Sequence, residues 1–574
     1  MKNFFILVLS VILSFNGYSA IIWFAASYIV PSPTTGGAPG PDDGGEDFSA
    51  ISGVCTLNSA AEINSINLSS SNQLIISGSV TINVVDHITI SSGCTMTILS
   101  GSTVIIAGSI TNNGSIIVQN GANLIQTGTG TASTGDYRIS QSGSGNRNNY
   151  NFWSSPVNGA SLPGVFSSAN GCDFYYYNAA NSEFRRLSAY STCLPAVTAD
   201  GSSTMTNGAG YIVAGGGSPS FNGTINTGTI TNNTISSGWN LVGNPYPSSI
   251  SGSEFLEINT NTTGTLYFWS DDGTAGGSYD ETADYATWNA GGGTGASGGG
   301  ASTIPNGSIA VGQGFFVSVS SGSSITFNNS MRGGSNSQFF KTNNEIIPRL
   351  WVSAEQNGFA SSQILIAFSD SASEGEDWSY DSEKYAPNNK FTFGSILVGK
   401  SNPFAIQSFS KSDMETSREI PLFIRSEKSG VTVLQIDGVE NWDSSLVISV
   451  KDNVTGKIQN LAQGPFSTYL NANEKYDTRF TLQINNPNGP PASVNDIDSS
   501  KLKLFYNDGS LTVANTIRMN SIEIYSISGV RVNSRSLNES RYTQISLNEL
   551  PTGIYIGSVT LENGSTISKR FAVQ

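Results

Sequence analysis

Between Ile63 and Thr127 the chain runs through short apolar alternations punctuated by glycines at positions 93, 101, 108, 114, 121 and 128, at intervals of 8, 7, 6, 7 and 7 residues. A unit such as Gly101-Ser-Thr-Val-Ile-Ile-Ala107 contains one short strand and cannot bury its apolar side by itself. Neighbouring strands must stack and share an interior, so residues 55–135 are predicted to form a β-solenoid with two or three strands per coil. An antiparallel meander is the alternative. In Val85-Asp86-His87-Ile88-Thr89-Ile90 the alternation puts His87 on the face opposite Ile88 and Ile90, an outward strand position. Thr95 and Thr97 form a single Thr-x-Thr pair, short of the regular ladder that a flat ice-binding face needs.

The whole chain has 574 residues, enough for about four domains. Only 12% of them are charged, against roughly 25% in an average soluble protein, so Ser, Thr, Asn and 63 Gly solvate the surface. The 27 basic and 42 acidic residues leave a net charge of −15, which repels phosphate backbones and argues against nucleic acid as a partner. His87 is the one histidine, which removes most zinc sites and most His-assisted nucleophiles and leaves carboxylates as the available catalytic groups. The sequence contains no phosphate-cradling loop and no nucleophile elbow, and Gly312-Gln-Gly314 lacks the third glycine of a dinucleotide fingerprint.

At the start, Lys2 precedes the apolar run Phe4 to Phe15, and Gly17, Ser19 and Ala20 follow, the order of a secretory leader. Residues 1–27 are read as that leader, cut after Ser19, Ala20 or Ser27; a retained membrane helix within Phe4 to Val30 is the alternative. Both readings export the chain. Residues 28–54, rich in Pro, Gly and Asp, are expected to be a linker. In an exported chain the four cysteines admit three pairings, of which Cys55–Cys94 with Cys172–Cys193 is the local choice.

The remainder reads as all-β. Residues 136–342 contain aromatic strand-like pieces bounded by Gly and Pro, residues 343–485 a further β-sandwich, and residues 486–500 a Pro-rich linker. Residues 501–574 form a separate small β-sandwich of net charge +3, against −18 for residues 1–500. The stretch 271–302 has no strand periodicity and is expected to be a surface loop, with Asp271, Asp272, Asp280, Glu281 and Asp284 as candidate calcium ligands and Tyr285 and Trp288 as candidate sugar platforms. Glu374, Glu376, Asp377 and Asp381 around Trp378 are read as a charged, solvated turn.

The last 74 residues carry Ile524-Tyr-Ser-Ile-Ser-Gly529, Leu550-Pro-Thr-Gly553-Ile-Tyr555, and Asn563-Gly564 followed by Lys569-Arg570-Phe571. In these motifs the tail resembles the type A C-terminal sorting domain of the Bacteroidota type IX secretion system, although Tyr506-Asn-Asp-Gly509 stands where such tails often begin with Pro-Asn-Pro. The resemblance assigns motif roles to Gly529, Gly553, Tyr555, Gly564, Lys569 and Arg570. It implies recognition by the secretion machinery, then release or attachment to surface lipopolysaccharide. Asn151-Phe-Trp-Ser-Ser-Pro156, Trp239-Asn-Leu-Val-Gly-Asn-Pro-Tyr-Pro247, Val311-Gly-Gln-Gly-Phe-Phe-Val317 and Phe327-Asn-Asn-Ser-Met-Arg332 resemble stretches of exported cargo proteins of the same phylum.

The expected function is that of an exported, non-enzymatic adhesin or structural surface protein with a glycan or matrix ligand. The alternative is a polysaccharide-binding or polysaccharide-degrading protein that works through Asp and Glu, which leave no sequence signature. No cofactor is expected, calcium being the one candidate ion.

Overall fold

The computed structural model describes Ser14–Phe15, Tyr18–Trp23, Asp47–Ala50 and the chain from 53 to 573, except 59, 129–134, 144–149, 168, 170–173, 188–203, 271–284, 297–303, 334–345, 357–359, 385–389, 416, 487–501, 508, 528, 548–549 and 563–565. The chain divides into two compact units, one made mostly of residues before 484 and one mostly of residues 484–574.

The first unit begins with the solenoid, and its strands pair in parallel, which excludes the meander. Leu74 stacks on Met96, Met96 on Ile116 and Ile116 on Tyr137, steps of 22, 20 and 21 residues. Each coil is therefore three of the roughly seven-residue units, one per face, as in Thr95–Ile98, Thr103–Ile106 and Ser109–Asn112. In the coil before, one long strand, Thr81–Ile90, supplies two faces: Thr81–Val84 pairs with Thr103–Ile106, and His87–Ile90 with Ser109–Asn112. The glycines sit at the corners for two reasons. Gly93, Gly101 and Gly121 have φ near +80°, a region open to glycine. At Gly108 and Gly128 a Cβ would lie 1.5 Å from the Asp86 carbonyl oxygen and 1.7 Å from that of Ala107.

Two boundaries expected at the solenoid shift. Asp47–Ala50 pairs with Ile66–Leu68, and Val54–Leu57 with Gln73–Ile76, so the end of the expected 28–54 linker belongs to the solenoid. Tyr18–Trp23, within the stretch read as leader, pairs in parallel with Asp47–Ala50. Among the described residues no helix is long and apolar enough to cross a membrane. At the other end Asp136–Ser140 pairs with both Ser115–Val118 and Ser220–Asn222, and the solenoid interior runs on into Trp153, Phe166 and Phe221, so residue 136 is not a boundary in packing.

The expected Cys55–Cys94 bridge does not form, and both side chains are thiols. The strand Gln73–Ile76 separates Val54–Leu57 from Thr95–Ile98. Two strand spacings, about 9.6 Å, exceed the ~7 Å that a disulfide spans. Cys172 and Cys193 lie outside the described residues.

Beyond the solenoid, two antiparallel sheets carry the aromatic residues. One has the order Tyr150–Trp153, Tyr211–Ala214, Phe174–Asn178, Glu183–Arg186; the other Gly238–Gly243, Gly314–Val319, Leu266–Trp269, Tyr285–Asn289, Gly292–Thr294. An eleven-stranded sheet follows, in which Ala360–Phe368 and Phe404–Phe409 form a parallel pair. Arg349 Nε donates to the Gly291 carbonyl (2.7 Å) and Trp351 Nε1 to that of Gly293 (2.8 Å), so this sheet is stitched to the aromatic region.

In the second unit five antiparallel strands enclose a core of Leu511, Val513, Ile522, Ile524, Val559 and Phe571. Tyr555 packs in that core 5.9 Å from Phe571, and Lys569 Nζ donates to the Leu502 carbonyl at 2.8 Å. Gly529 has φ +84° at a turn, and Arg570 is exposed. Gly553 has no positive φ and no steric demand for glycine, and Gly564 lies outside the described residues.

Candidate functional site

Strand register builds an aromatic cleft between the two central sheets. Phe152 is paired with Ile212, Ile212 with Tyr175, and Tyr175 with Arg186, so one row across the four-stranded sheet is three apolar side chains ending in a guanidinium. Tyr150, two residues before Phe152, lies on the same face. The opposing wall comes from the five-stranded sheet, where Trp269 is paired with Tyr285. Trp269 stacks on Phe152 at 5.4 Å and 15°, and meets Tyr285 edge-on at 5.1 Å. Phe316 closes the base, 5.8 Å from Phe152 and 4.8 Å from Tyr177. Offset and edge-to-face pairs of this kind add about 0.5–1.5 kcal/mol each to the burial of the rings.

The cleft has two adjoining depressions. One of about 150 Å³ is lined by Tyr150, Phe152, Tyr175, Phe184, Ile212, Trp269 and Tyr285 and is almost wholly apolar. The other, about 320 Å³, shares Tyr150, Phe152 and Trp269 and adds Gln141, Ser142, Asn151, Ser270 and Gln313. At the rim Arg186 Nη2 donates to the Tyr175 hydroxyl at 2.8 Å, with its guanidinium carbon 5.2 Å from that ring. Burial raises the Tyr177 hydroxyl above the ordinary phenol range, so it stays protonated. The Trp269 indole N–H is buried without a hydrogen-bond partner among the described residues.

The residues singled out from the sequence are placed apart. Tyr285 lines the cleft, 8% exposed. Trp288, three residues on, points to the other side of its strand and packs in the core with Leu266, Phe315 and Ile309. A Cβ on Gly307 would lie 2.4 Å from its ring, so Trp288 is a core residue and no platform. Asp271, Asp272, Asp280, Glu281 and Asp284 lie outside the described residues, in the segment joining Ser270 to Tyr285. Among the described residues no three His, Cys, Asp or Glu side chains are grouped to hold a metal. His87 is half-buried on the outer solenoid face; Nδ1 is 2.8 Å from Asp86 and Nε2 is 3.1 Å from Asn67 Oδ1.

The acidic turn around Trp378 is solvated at Glu374, Glu376 and the 43% exposed Trp378, as expected, but it is also pinned to its neighbours. Trp378 Nε1 donates to the Thr262 carbonyl at 2.8 Å, and Ala290 N to that of Ser379. Asp381 is 4% exposed and accepts from Ser408 N and Asp377 N, both at 2.7 Å; burial nevertheless pushes its carboxyl up to about 7. Nearby Lys384 donates to Ser362 Oγ and the Gln363 carbonyl, and burial pulls its ammonium down to about 7. The partners of both groups lie in the turn itself and in the strands Ala360–Phe368 and Phe404–Phe409 of the eleven-stranded sheet. The sequence reading missed Tyr150, Phe152, Tyr175 and Trp269 as a site; the available signal was aromatics two apart on strands, which equally describes a core.

A family profile described as a domain of unknown function, DUF8693, matches residues 50–484, and one described as a secretion system C-terminal sorting domain matches residues 507–574. No curated protein matches the chain. Similar solved structures include a DUF3244 family protein with an immunoglobulin-like β-sandwich from Bacteroides vulgatus ATCC 8482, 22% identical over 13% of this chain and 85% of that one, TM-score 0.12. A polysaccharide lyase is 6% identical over 39% of each chain, TM-score 0.13. A biofilm-associated protein BSP domain is 11% identical over 76% of this chain and 92% of that one, TM-score 0.12.

Proposed function

Since the chain belongs to the DUF8693 family and is a type IX secretion cargo by its sorting tail, we propose that it works outside the cell as a non-enzymatic adhesive protein whose contact site is the aromatic cleft, with a glycan as ligand. The observation that carries this reading is the pairing of stacked aromatic side chains with a neutral amide and hydroxyl rim at one open cleft. Aromatic faces take the C–H faces of sugar rings, and Gln141, Asn151 and Ser142 offer donors and acceptors to hydroxyls. Among the described residues Arg186 brings a charge to the rim, through its hydrogen bond to the Tyr175 hydroxyl. Attachment to surface lipopolysaccharide after removal of the tail is the route by which the chain would be held at the surface.

The mature protein, purified from the medium or the cell surface, is expected to bind a defined class on a glycan array without releasing products. Trp269→Ala should weaken that binding by about tenfold or more, equivalent to at least 1.4 kcal/mol. An unchanged profile for the variant, or cleavage of bound glycans, rejects the reading.

A further inference from the structure

The sorting tail presents two kinds of surface on one sheet face. Alternation along the strands sends Ile522, Ile524, Tyr555 and Val559 into the core and the residues between them outward. Much of the outward face is hydroxyls: Ser521 pairs with Thr560 and Thr560 with Thr566, while Ser558 pairs with Ser568, whose Oγ donates to it at 3.0 Å. At one end the chemistry changes. Tyr525 pairs with Ile556 and Ile556 with Arg570, and Ile554 stands beyond them at the end where the hairpin turn carries Ile527 and Val530. Ile527, Val530 and Ile554 are each more than half exposed. Single apolar side chains at a surface are ordinary; a group of them at one end of an otherwise hydroxylated face marks a contact.

The tail's motifs converge on this end and divide in role. Tyr555 packs inside and Lys569 is tied to the Leu502 carbonyl, whereas Ile527, Ile554 and Arg570 face outward. Glu523 accepts from the Tyr525 hydroxyl and from Arg531, both at 2.7 Å, which neutralises Arg531. Arg570 has no ion-pair partner among the described residues, in a tail of net charge +3. We propose that the secretion machinery grips the tail here, through an apolar surface that covers Ile527, Val530, Ile554 and Ile556 and sets a carboxylate opposite Arg570. The sorting-domain match supplies the partner, and the unpaired guanidinium supplies the charge that partner must carry.

Fractionation of a type IX-competent host that makes the full-length precursor tests this. Ile527→Ser combined with Ile554→Ser, and separately Arg570→Glu, should each lower the exported fraction about tenfold, with precursor accumulating inside the outer membrane. The thermal midpoint of the purified precursor should stay where it was, because these side chains are exposed. Arg570→Lys should export normally, since one cation still meets the carboxylate, and so should Ser568→Glu, which puts a charge among the hydroxyls of the same strand. If the double variant melts early, the Arg570 pair decides alone. Undiminished export of the double variant and of Arg570→Glu overturns the docking face and leaves the sorting assignment, which truncation at residue 500 tests, standing. Equal loss from Ser568→Glu also overturns it, because export would then follow tail charge in general. A precursor dimer that the double variant dissolves while export continues assigns the patch to a second copy instead.

Discussion

Arg332 shows what one side chain does for the first unit. It is 2% exposed, and its partners are the carbonyls of Leu124 (2.7 Å) and Gln126 (3.2 Å), Ser248 Oγ, Thr227 Oγ1 and Asn329 Oδ1, with the Tyr246 ring 4.9 Å from the guanidinium carbon. Burial lowers it to about 10, so it is still charged at neutral pH, held by neutral acceptors. Arg332→Ala leaves these acceptors unmet and a cavity beside them, and should cost about 3–5 kcal/mol in denaturant unfolding. Arg332→Lys should recover little, because an ammonium cannot serve the same fan of acceptors. The motif Phe327 to Arg332 was visible in the sequence, but this role was not, since its two backbone acceptors lie more than 200 residues away and carbonyls have no sequence signature. Trp288 failed for a different reason: the parity of Tyr285 and Trp288 puts them on opposite faces, but that matters only once Leu266–Trp269 recruits them into a strand.

Among the elements, the solenoid was the most legible, because its period is imposed by corners that admit little besides glycine. Gly108→Ala tests this. The new methyl would overlap the Asp86 carbonyl, so the corner must open and the pairing of Ser109–Asn112 with His87–Ile90 must loosen. A lower thermal midpoint, and faster amide exchange confined to that face, is the expected result; Gly399→Ala, where no atom comes within 4 Å, gives the comparison for backbone strain alone at φ +90°. The acidic turn was half legible: four carboxylates in eight residues describe a solvated loop, which holds for Glu374 and Glu376 and fails for the buried Asp381. What fixes it is long-range: Trp378 reaches Thr262, and a Cβ on Gly264 would lie 2.3 Å from Ser379 N. The aromatic cleft was invisible for a related reason, since Tyr150 and Trp269 have the same local pattern as the strand residues Phe268 and Phe315, which are core.

Across the whole molecule, the sequence resolves the sorting tail from the body by charge and motif, and the two compact units divide the chain near the same place. A chain ending at residue 500 is expected to stay inside the outer membrane of a type IX-competent host, while the thermal transition of the remaining body is unchanged. Fractionation and a melting curve check both parts, and export of the truncated chain would contradict the assignment. The expected divisions at 135/136 and 342/343 do not mark independent pieces, because the solenoid interior is shared and hydrogen bonds from Arg349 and Trp351 cross the second junction. The three-faced coil has a further consequence for how such a protein can diversify. Duplication of a whole coil, about 21 residues, lengthens the prism by one strand spacing of about 4.8 Å and returns every face to its original azimuth. Duplication of a single face would instead rotate all that follows by a third of a turn. Reach can therefore be inherited in discrete increments while the aim of the cleft stays constant.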